Sequence, residues 1–429
     1  MAAVRFPGAK GSFTAVHTDS REVEPGGLFF ALRGAEKDGH HFVADAVARG
    51  AAAVVVERPP EGALDAAEVI VVPDTWAALY ELARKRLEEA APIVVGITGS
   101  NGKTSTKEML AAILATRFKV LKTEGNLNTQ TGVPLTILRL EPGLHEVLVL
   151  EMGMQGPGEI ARLAALASPR VGIVTGVGTV HIEFFDSVEG IARAKAELVA
   201  ALPADGLAIL NHDDPTTRLI RGLTAAPIVT FGLEGGDFRG EGYAAGEFTL
   251  RGSPVRLRIP GRHQARNALA ALAAADHLGV PIEAGARALA EVEVDRRLQS
   301  LPAPAGFAVV DDAYNASPES MLAAFDAVSE GPHPGRLLAV LGEMRELGPL
   351  AREAHLLVGA RAREVFDELC VIDVGNGRLL AEAAGGELVP DKPAAVRWVR
   401  AHAGAGDVVL VKASHGVALE EVVEELLRS

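Results

Sequence analysis

Apolar and polar positions alternate in blocks between residue 93 and about residue 210. Short apolar stretches, which predict strands, are followed by longer segments whose apolar residues recur at helical spacing. This alternation is typical of βαβ units around a parallel sheet. It predicts the strands "IVVGIT", "VLVLE", "VGIVT" and "LAIL", connected by the helices "KEMLAAILATRF", "GEIARLAALA" and "VEGIARAKAELVAALP".

The flanking segments predict two smaller units. The first contains the strand candidates "LFFAL", "AAVVVE" and "VIVV" and closes with the helical segment "TWAALYELARKRLEEA". After "LPAPAG", near residue 300, a smaller open α/β sheet is predicted from "FAVVDD", "RLLAVLG", "ELCVIDV", "GELV" and "DVVLVK". We interpret "LPAPAG" as a hinge between domains. Within the central unit, the β-rich patch "FTLRGSPVRLRIPG" precedes the alanine-rich helix "QARNALAALAAADHLG".

Composition narrows the class of protein. The chain has 429 residues, of which 48% are hydrophobic, so two or three domains with sizeable cores are expected. Its net charge of −14 argues against a broad nucleic-acid or acidic-lipid surface, so a polyanionic ligand needs a local site. The single cysteine, Cys370, lies in an apolar run and is expected in the core of a protein from a reducing compartment. No window approaches the ~18 apolar residues of a membrane span, and no signal peptide is recognised, so we expect a soluble cytoplasmic protein.

The stretch "IVVGITGSNGKTST" (93–106) leads from a strand through a glycine-rich turn into a helix. Backbone N–H groups and the helix dipole at such a turn bind phosphates. Lys103 would reach the β- and γ-phosphates, and the Thr104 hydroxyl would hold Mg²⁺. The spacing departs from G-x-x-x-x-G-K-[ST] because residue 97 is Ile, but the strand–turn–helix context is the one that the motif requires. The turn therefore predicts a P-loop that binds a nucleotide triphosphate.

Three further residues carry candidate chemistry. Glu151 ends the strand "VLVLE", where a carboxylate beside the P-loop is suited to Mg²⁺; a solvated acid is the alternative. His181 follows the strand that begins "VGIVT", and Lys195 lies along the edge of the apolar stripe of its helix. On the residues alone, a structural or surface role is favoured for His181 and a surface role for Lys195.

Several motifs are similar to those of the Mur ligase family, ATP-dependent enzymes that add amino acids to the cell-wall precursor UDP-N-acetylmuramic acid. The loop "TGSNGKT" resembles the P-loop of that family, and the resemblance covers nearly the whole chain. "GNLNTQTGVPLTIL", "GRHQARNALAA", "DDAYNASPES", "LGEMRELG" and "VLVKASHG" resemble the members that add a D-alanyl-D-alanine dipeptide. The "DNPR" motif of the members that add diaminopimelate is absent.

The resemblance implies an α/β fold of three domains. A small mixed α/β domain, residues 1–88, would bind the UDP-muramoyl substrate. A central parallel-sheet ATPase domain with the P-loop, residues 89–298, would bind ATP. A C-terminal Rossmann-like α/β domain, residues 299–429, would bind the incoming dipeptide and close on ATP. We expect a monomer with no nucleic-acid partner.

The resemblance also assigns roles to individual residues. Lys103, Glu151, His181 and Lys195 are implied to be catalytic. The implied cofactors are ATP, two Mg²⁺ ions and CO₂, which converts Lys195 into an anionic carbamate. Metal binding is implied for Thr104, Glu151, His181 and Lys195. ATP binding is implied for Thr98, Gly99, Ser100, Asn101, Gly102, Lys103, Thr104, Asn267, Arg297, Asp312, Tyr314 and Asn315. Binding of the UDP-muramoyl peptide is implied for Ser20, Arg21, Gly34, Asn126, Asn128 and Thr129.

The implied reaction joins D-alanyl-D-alanine to UDP-N-acetylmuramoyl-tripeptide through an acyl phosphate. A relative that adds diaminopimelate or lysine is the alternative within the class. A P-loop kinase or regulatory ATPase is the alternative from another class, but it leaves the first 88 residues and "DDAYNASP" without a role. A non-enzymatic nucleotide-binding scaffold predicts loss of Lys103, Glu151 or His181, and all three are present.

Overall fold

The computed structural model describes residues 3–34, 37–60, 66–331 and 333–428, and the strands of these residues form five sheets. A four-stranded, a seven-stranded and a six-stranded sheet succeed one another along the chain, with helices packed on them. A two-stranded hairpin and a three-stranded meander complete the strands. The α/β fold class and the three-part organisation predicted from the sequence are confirmed.

The N-terminal region contains the hairpin and a parallel sheet of order β3-β4-β5-β6. Its elements are β1 (Val4–Arg5), β2 (Ser12–Phe13), β3 (Val16–His17), β4 (Leu28–Phe30), α1 (Val43–Ala48), β5 (Ala53–Val56), β6 (Glu68–Val71) and α2 (Thr75–Ala90). The central strands β4 and β5 are wholly buried, as expected for apolar runs in a parallel sheet. Helix α2 begins where Asp74 accepts a hydrogen bond from the N–H of Ala77, and it ends at Ala91 in the left-handed conformation.

The central region is built on a seven-stranded parallel sheet of order β13-β12-β11-β10-β7-β9-β8. Its strands are β7 (Ile93–Thr98), β8 (Val120–Lys122), β9 (Val147–Glu151), β10 (Val171–Val174), β11 (Leu207–Asn211), β12 (Ile228–Gly232) and β13 (Phe238–Arg239). Its helices are α3 (Lys103–Leu114), α4 (Gly132–Leu138), α5 (Glu159–Ala167), α6 (Val188–Ala200), α7 (Thr217–Arg221), α8 (Arg262–His277) and α9 (Ile282–Leu289). The antiparallel meander lies between the sheet and α8 in the chain and consists of β14 (Glu241–Ala244), β15 (Glu247–Leu250) and β16 (Ser253–Arg256).

Strand order reverses at β7. From β7 the chain first forms β8 and β9 on one side and then builds β10 to β13 on the other side. In open α/β sheets, ligands bind at the carboxyl ends of the strands beside such a reversal. The turn after β7 is the predicted P-loop, so the topology places this turn at the ligand-binding edge of the sheet.

The C-terminal region is a six-stranded sheet of order β17-β18-β22-β19-β20-β21, in which only β17 is antiparallel among the described strands. Its strands are β17 (Gln299–Pro302), β18 (Ala308–Asp311), β19 (Leu337–Leu341), β20 (Glu368–Ile372), β21 (Glu387–Val389) and β22 (Val408–Lys412). Its helices are α10 (Pro318–Glu330), α11 (Ala351–Val365), α12 (Gly377–Ala384), α13 (Lys392–His402) and α14 (Glu420–Leu426). Cys370 is fully buried in β20, and this burial raises the pKa of its thiol, so the predicted core role is confirmed.

The interpretation of "LPAPAG" as a hinge is wrong, because this segment forms the hairpin between β17 and β18. The N–H of Ala303 donates to the carbonyl of Phe307, and the N–H of Gly306 donates to the carbonyl of Ala303. Pro302 has no N–H to donate, and it is tolerated because β17 is an edge strand. The proline-rich composition therefore marks a sheet edge and a tight turn.

Two apolar cores extend across the predicted domain boundaries. One core joins α3, α8 and the central sheet to residues of α10, α11 and β19, with Phe325 and Leu341 fully buried. The other core joins Phe30 and Leu79 of the N-terminal region to Leu148 of β9. The three regions therefore pack on one another through apolar contacts, and the boundaries at residues 88 and 298 remain predictions.

Candidate active site

The turn between β7 and α3 contains two glycines that no other residue could replace without displacing a neighbour. Gly99 and Gly102 have φ of 151° and 85°. A Cβ on Gly99 would lie 1.9 Å from Oγ1 of Thr175, and a Cβ on Gly102 would lie 2.3 Å from Oδ1 of Asn267. Close packing of this turn against β10 and α8 therefore explains why glycine is needed here.

Lys103 is the first residue of α3. Its Nζ donates to the carbonyl oxygens of Gly99 (2.8 Å) and Ser100 (3.2 Å), so the side chain folds back over the turn. Burial lowers the pKa of Lys103, Glu151 opposes this effect, and the charge of Arg297 adds to it. An ammonium group held over free N–H groups at a helix N-terminus is suited to a phosphate chain.

Neighbouring polar side chains fix the shape of the turn. The Thr98 hydroxyl donates to the carbonyl of Met152 at 2.9 Å. The Ser100 hydroxyl accepts from the N–H of Gly178 at 2.9 Å and donates to its carbonyl at 3.2 Å. These contacts tie the end of β7 to the segments that follow β9 and β10.

Glu151 lies at the end of β9, only 2% exposed, and receives two side-chain hydrogen bonds. The Thr104 hydroxyl donates to its Oε2 at 3.0 Å, and Nδ2 of Asn128 donates to its Oε1 at 2.8 Å. Lys107 is only 1% exposed, and its Nζ lies 3.8 Å from Oε2 of Glu151. A carboxylate beside a hydroxyl is a donor set that Mg²⁺ prefers. Sequence reasoning missed Lys107, although it lies one helical turn after Lys103.

Lys195 is buried in α6 at 2% exposure. No hydrogen bond or ion pair joins it to another residue in the part of the chain that the structure describes. Burial, with the nearby charge of Lys103 as a second cause, lowers the pKa of Lys195 well below its usual value. The expectation of a surface lysine from helical spacing alone is therefore wrong.

His181 follows β10 in the left-handed conformation, with φ of 68°. Its Nδ1 lies 2.5 Å from Oε2 of Glu346, a residue of the "LGEMRELG" segment that sequence reasoning did not assign. The contact with His181 lowers the pKa of Glu346, and partial burial opposes the shift. The structure therefore brings a central-region histidine against a carboxylate of the C-terminal region.

The C-terminal region contributes a second cluster at the carboxyl ends of β18 and β22. The guanidinium carbon of Arg297 lies 4.2 Å from the ring centroid of Tyr314. Nζ of Lys412 lies 2.6 Å from Oδ2 of Asp312 and donates to the carbonyl of Asn315 at 2.9 Å. Asp312 thus has a buried cationic partner other than Arg297.

The N-terminus of α10 docks on the P-loop. Ser317 caps this helix, and Nδ2 of Asn101 donates to its hydroxyl at 3.2 Å. Oε1 of Glu319 accepts from the N–H of Thr179 at 2.8 Å and from the Thr179 hydroxyl at 2.9 Å. "DDAYNASPES" is therefore the segment that connects the nucleotide turn to the C-terminal sheet.

Most of the predicted site residues line two adjoining cavities. The larger cavity has about 490 Å³, extends from the P-loop to Lys195 and His181, and is also lined by Trp76, Asn128, Thr129, Glu151, Arg297, Tyr314 and Asn315. The smaller cavity has about 330 Å³ and is lined by the P-loop with Asn211, His263, Gln264, Asn267, Arg297, Asp312 and Lys412. Inside it, Nδ2 of Asn267 donates to Oε1 of Gln264 at 3.2 Å.

Four of the residues predicted for the UDP-muramoyl peptide lie apart from these cavities. Ser20, Arg21, Gly34 and Asn126 line neither of them. Arg21 instead binds the carboxylate of Asp19, and this hydrogen bond lowers the pKa of Asp19 to about 2. The N-terminal region reaches the larger cavity through Trp76, with Nε1 donating to the carbonyl of Arg33 at 2.9 Å.

The described ranges contain neither a cluster of metal-binding side chains nor a membrane-spanning helix. Among these residues, no three histidine, cysteine, aspartate or glutamate side chains are grouped so that they could hold a metal ion. No described helix combines the length and the apolar character needed to cross a membrane.

Comparison with known protein families gives three matches along the chain. Residues 12–87 match the Mur ligase family catalytic domain, residues 97–275 match the Mur ligase middle domain, and residues 296–415 match the Mur ligase glutamate ligase domain. Together these matches cover most of the chain. They follow the order of the four-stranded, seven-stranded and six-stranded sheets along it.

Individual relatives and solved structures agree with the domain matches. The UDP-N-acetylmuramoyl-tripeptide–D-alanyl-D-alanine ligase of Bacillus subtilis is 37% identical, over 97% of this chain and 94% of its own length. MurF from Acinetobacter baumannii superposes with a TM-score of 0.88 at 32% identity, covering 98% of this chain and 95% of that one. MurF ligase from Thermotoga maritima, solved in complex with ADP, superposes with a TM-score of 0.85 at 33% identity, covering 96% of both chains. The chain therefore belongs to the Mur ligase family.

Proposed function

We propose that this chain is an ATP-dependent ligase that joins D-alanyl-D-alanine to UDP-N-acetylmuramoyl-tripeptide in the synthesis of peptidoglycan precursors. One observation carries the proposal: residues of all three regions line the cavity of about 490 Å³ in front of the P-loop. Trp76 comes from the N-terminal region, Lys103 and Lys195 from the central region, and Arg297 and Tyr314 lie against the C-terminal sheet. A reaction with three substrates needs such a meeting point.

The charges around this cavity favour an anionic ligand. Lys103 and Arg297 line the cavity, and the charge of Arg297 adds to the effect of burial in lowering the pKa of Lys103. Glu151 is the carboxylate that opposes them, and it is already hydrogen-bonded to Thr104 and Asn128. In a chain with a net charge of −14, this local excess of cations supports binding of the ATP phosphates.

Thr104 and Glu151 fit a Mg²⁺ ion, because their hydroxyl and carboxylate oxygens already lie within 3.0 Å of each other. His181 lines the same cavity and is the second proposed metal ligand. Mg²⁺ bound here would offset the negative charge on the transferring phosphoryl group. Among this chain's own residues, Lys103 supplies the fixed cation for that group.

Lys195 is proposed to carry a carbamate formed with CO₂. A neutral amine is the form that adds CO₂, with loss of one proton, and burial favours this form by lowering the pKa of Lys195. The product replaces a buried amine that has no hydrogen-bond partner in the described structure with an anion beside Lys103. The carbamate would then help to hold the metal ion.

The proposed reaction has two displacement steps. The terminal carboxylate of the UDP-linked tripeptide attacks the γ-phosphorus of ATP, and the bond to the β,γ-bridging oxygen breaks to release ADP. The free amine of D-alanyl-D-alanine then attacks the acyl carbon, loses a proton and displaces phosphate. The C-terminal region docks on the P-loop through Ser317 and on the loop after β10 through Glu319, and it would exclude water from the acyl phosphate.

The remaining proposals follow from this assignment. Residues 1–88 would bind the UDP-muramoyl substrate, residues 89–298 ATP, and residues 299–429 the dipeptide. We propose a monomer acting in the cytoplasm, since one chain alone supplies the lining of the cavity. Addition of diaminopimelate or lysine is the alternative, and the dipeptide is favoured because the full-length relatives carry D-alanyl-D-alanine in their names.

Phosphate release under defined substrate pairs tests the proposal. We expect turnover only with ATP, UDP-N-acetylmuramoyl-tripeptide and D-alanyl-D-alanine together. UDP-N-acetylmuramoyl-dipeptide with diaminopimelate or lysine should give background rates. Lys103→Ala should lose at least about a hundredfold in rate, since a main phosphate contact contributes roughly 3 kcal/mol. Lys122→Ala, at the partly exposed end of β8, should keep full activity. Efficient turnover with the dipeptide-linked substrate would contradict the proposed substrate.

A further inference from the structure

The loop between β10 and α6 is held from outside the central region by two carboxylates. Glu319 accepts hydrogen bonds from both the N–H and the hydroxyl of Thr179. Two residues later, Glu346 lies against the imidazole of His181. The segment that carries a proposed metal ligand is therefore fixed by side chains of the C-terminal region.

The backbone at the second contact is strained on both sides. His181 and Glu346 have φ of 68° and 60°, a region that L-residues with a side chain rarely adopt. Gly348, two residues after Glu346, approaches so closely that a Cβ there would lie 3.2 Å from Cβ of Glu183. Such strain persists only where the surrounding structure over-determines it, and it concentrates at functional sites.

The contact leaves one nitrogen of His181 for a ligand. Nδ1 is buried without a hydrogen bond in the described structure, and Oε2 of Glu346, 2.5 Å away, is the polar atom placed to accept its proton after a small rotation of the ring. A carboxylate at this position favours the tautomer with the proton on Nδ1, which leaves the lone pair on Nε2. Ligating histidines are commonly oriented in this way by a carboxylate on their other nitrogen, and loss of that partner costs 10–100-fold in metal affinity or activity.

We propose that Glu346 is a positioning residue, which fixes the ring and tautomer of His181 for a divalent cation and does so only when the C-terminal region is docked. The inference rests on the proposed function for its metal ion. With this role for Glu346, the docked C-terminal region is part of the metal site, although Glu346 itself does not touch the ion. Closure of the protein and completion of the metal site thereby become one event.

Mn²⁺ binding in the presence of ADP tests the proposal without either peptide substrate. The fraction of free Mn²⁺ is measured by electron paramagnetic resonance for the wild type, Glu346→Ala and Glu346→Gln. We expect the half-saturating Mn²⁺ concentration to rise at least about tenfold in Glu346→Ala. Glu346→Gln, which keeps an acceptor for Nδ1, should show a smaller rise.

Glu330→Gln is the matched control. Oε2 of Glu330 accepts from the Tyr243 hydroxyl at 3.1 Å, so this carboxylate also joins α10 to the central region but lies outside both cavities. Its Mn²⁺ binding should equal that of the wild type. Unchanged binding in Glu346→Ala, or an equal rise in Glu330→Gln, would overturn the proposal. Because ligation is not measured, neither result depends on the identity of the peptide substrate.

Discussion

Lys412 and Asp312 form an ion pair inside the protein, with 2.6 Å between Nζ and Oδ2 and less than a tenth of each side chain exposed. They lie at the carboxyl ends of neighbouring strands, β22 and β18, beside the smaller cavity. The Lys412 ammonium also donates to the carbonyl of Asn315. The pair therefore fixes the start of the segment that connects the C-terminal sheet to the P-loop.

Removing one partner of this pair should be more harmful than removing both. Lys412→Met leaves a buried carboxylate without its cation, and we expect a loss of about 3–5 kcal/mol in unfolding free energy. The double variant Lys412→Met, Asp312→Leu should recover part of this loss. Urea unfolding followed by Trp398 fluorescence, in a Trp76→Phe background, reports on this region. Equal stability of the single and double variants would contradict the role of the buried charge.

Gly102→Ala should abolish tight ADP binding. The new Cβ would lie 2.3 Å from Oδ1 of Asn267, so either the turn or Asn267, a proposed ATP-binding residue, must shift. Gly158→Ala is the control, because Gly158 has a similar φ of 81° but no atom within 4 Å of a Cβ. Both variants carry the strain of a positive φ, at roughly 1 kcal/mol, but only Gly102→Ala should weaken ADP binding in calorimetry. Equal affinities would show that close packing at Gly102 is irrelevant to the nucleotide.

Lys195→Ala should be nearly inactive and partly rescued by small carboxylic acids, which refill the anionic position. ¹³C spectra of the wild type with labelled bicarbonate should show a carbamate signal that Lys195→Ala lacks. Lys122→Ala should keep the signal, because its partly exposed side chain pairs with Glu108 and lies outside the cavity. An unmodified amine at Lys195 in the fully active enzyme would contradict the carbamate proposal.

Acid should weaken the C-terminal region through His355. Its Nε2 accepts from the N–H of Met344 at 2.9 Å, and Nδ1 lies 2.6 Å from the carbonyl of Ala351. The side chain is fully buried, and burial lowers its pKa below 6.5. As pH falls, the imidazole of His355 is therefore protonated in the unfolded chain before it is protonated in the folded protein. The contribution of His355 to the free energy of unfolding is present above pH 6.5 and is lost as pH falls below that value.

Comparison with His355→Gln isolates this contribution. Glutamine keeps an acceptor for the N–H of Met344 but does not titrate. Between pH 7 and pH 5 the wild type should lose more unfolding free energy than the variant, by at most about 1.4 kcal/mol per pH unit. His277→Gln, at the exposed end of α8, should follow the wild type. Parallel pH curves for the wild type and His355→Gln would exclude the role of His355.

The sequence predicts candidate site residues where the site is formed by residues that follow one another closely in the chain. Gly102 and Thr104 could be identified because a strand, a turn and a helix follow one another within a few residues, and Glu151 because it ends an apolar stretch. Strands β8 and β12 were not predicted, since the first is only partly buried and short and the second lacks a distinctive pattern. Local pattern thus identifies the nucleotide turn and most of the sheet.

Residues that act through distant partners were not identified. Lys107 is charged and helical, which reads as a solvated position, yet it is buried beside Glu151. Glu346 meets His181 only because the C-terminal region docks on the central sheet. "LPAPAG" has the composition of a linker, but pairing with β18 makes it a strand. In all three examples the structure depends on contacts with residues far away in the sequence, which local sequence patterns do not show.

Burial of the single cysteine makes the protein suitable for distance measurements between its regions. Cys370 is enclosed in β20, and its raised pKa disfavours the thiolate that reacts with labels. Pairs of cysteines introduced on exposed positions of α2 and α11 could therefore carry fluorescent dyes while Cys370 is left in place. Energy transfer between such dyes would follow opening and closing of the C-terminal region in single molecules during turnover.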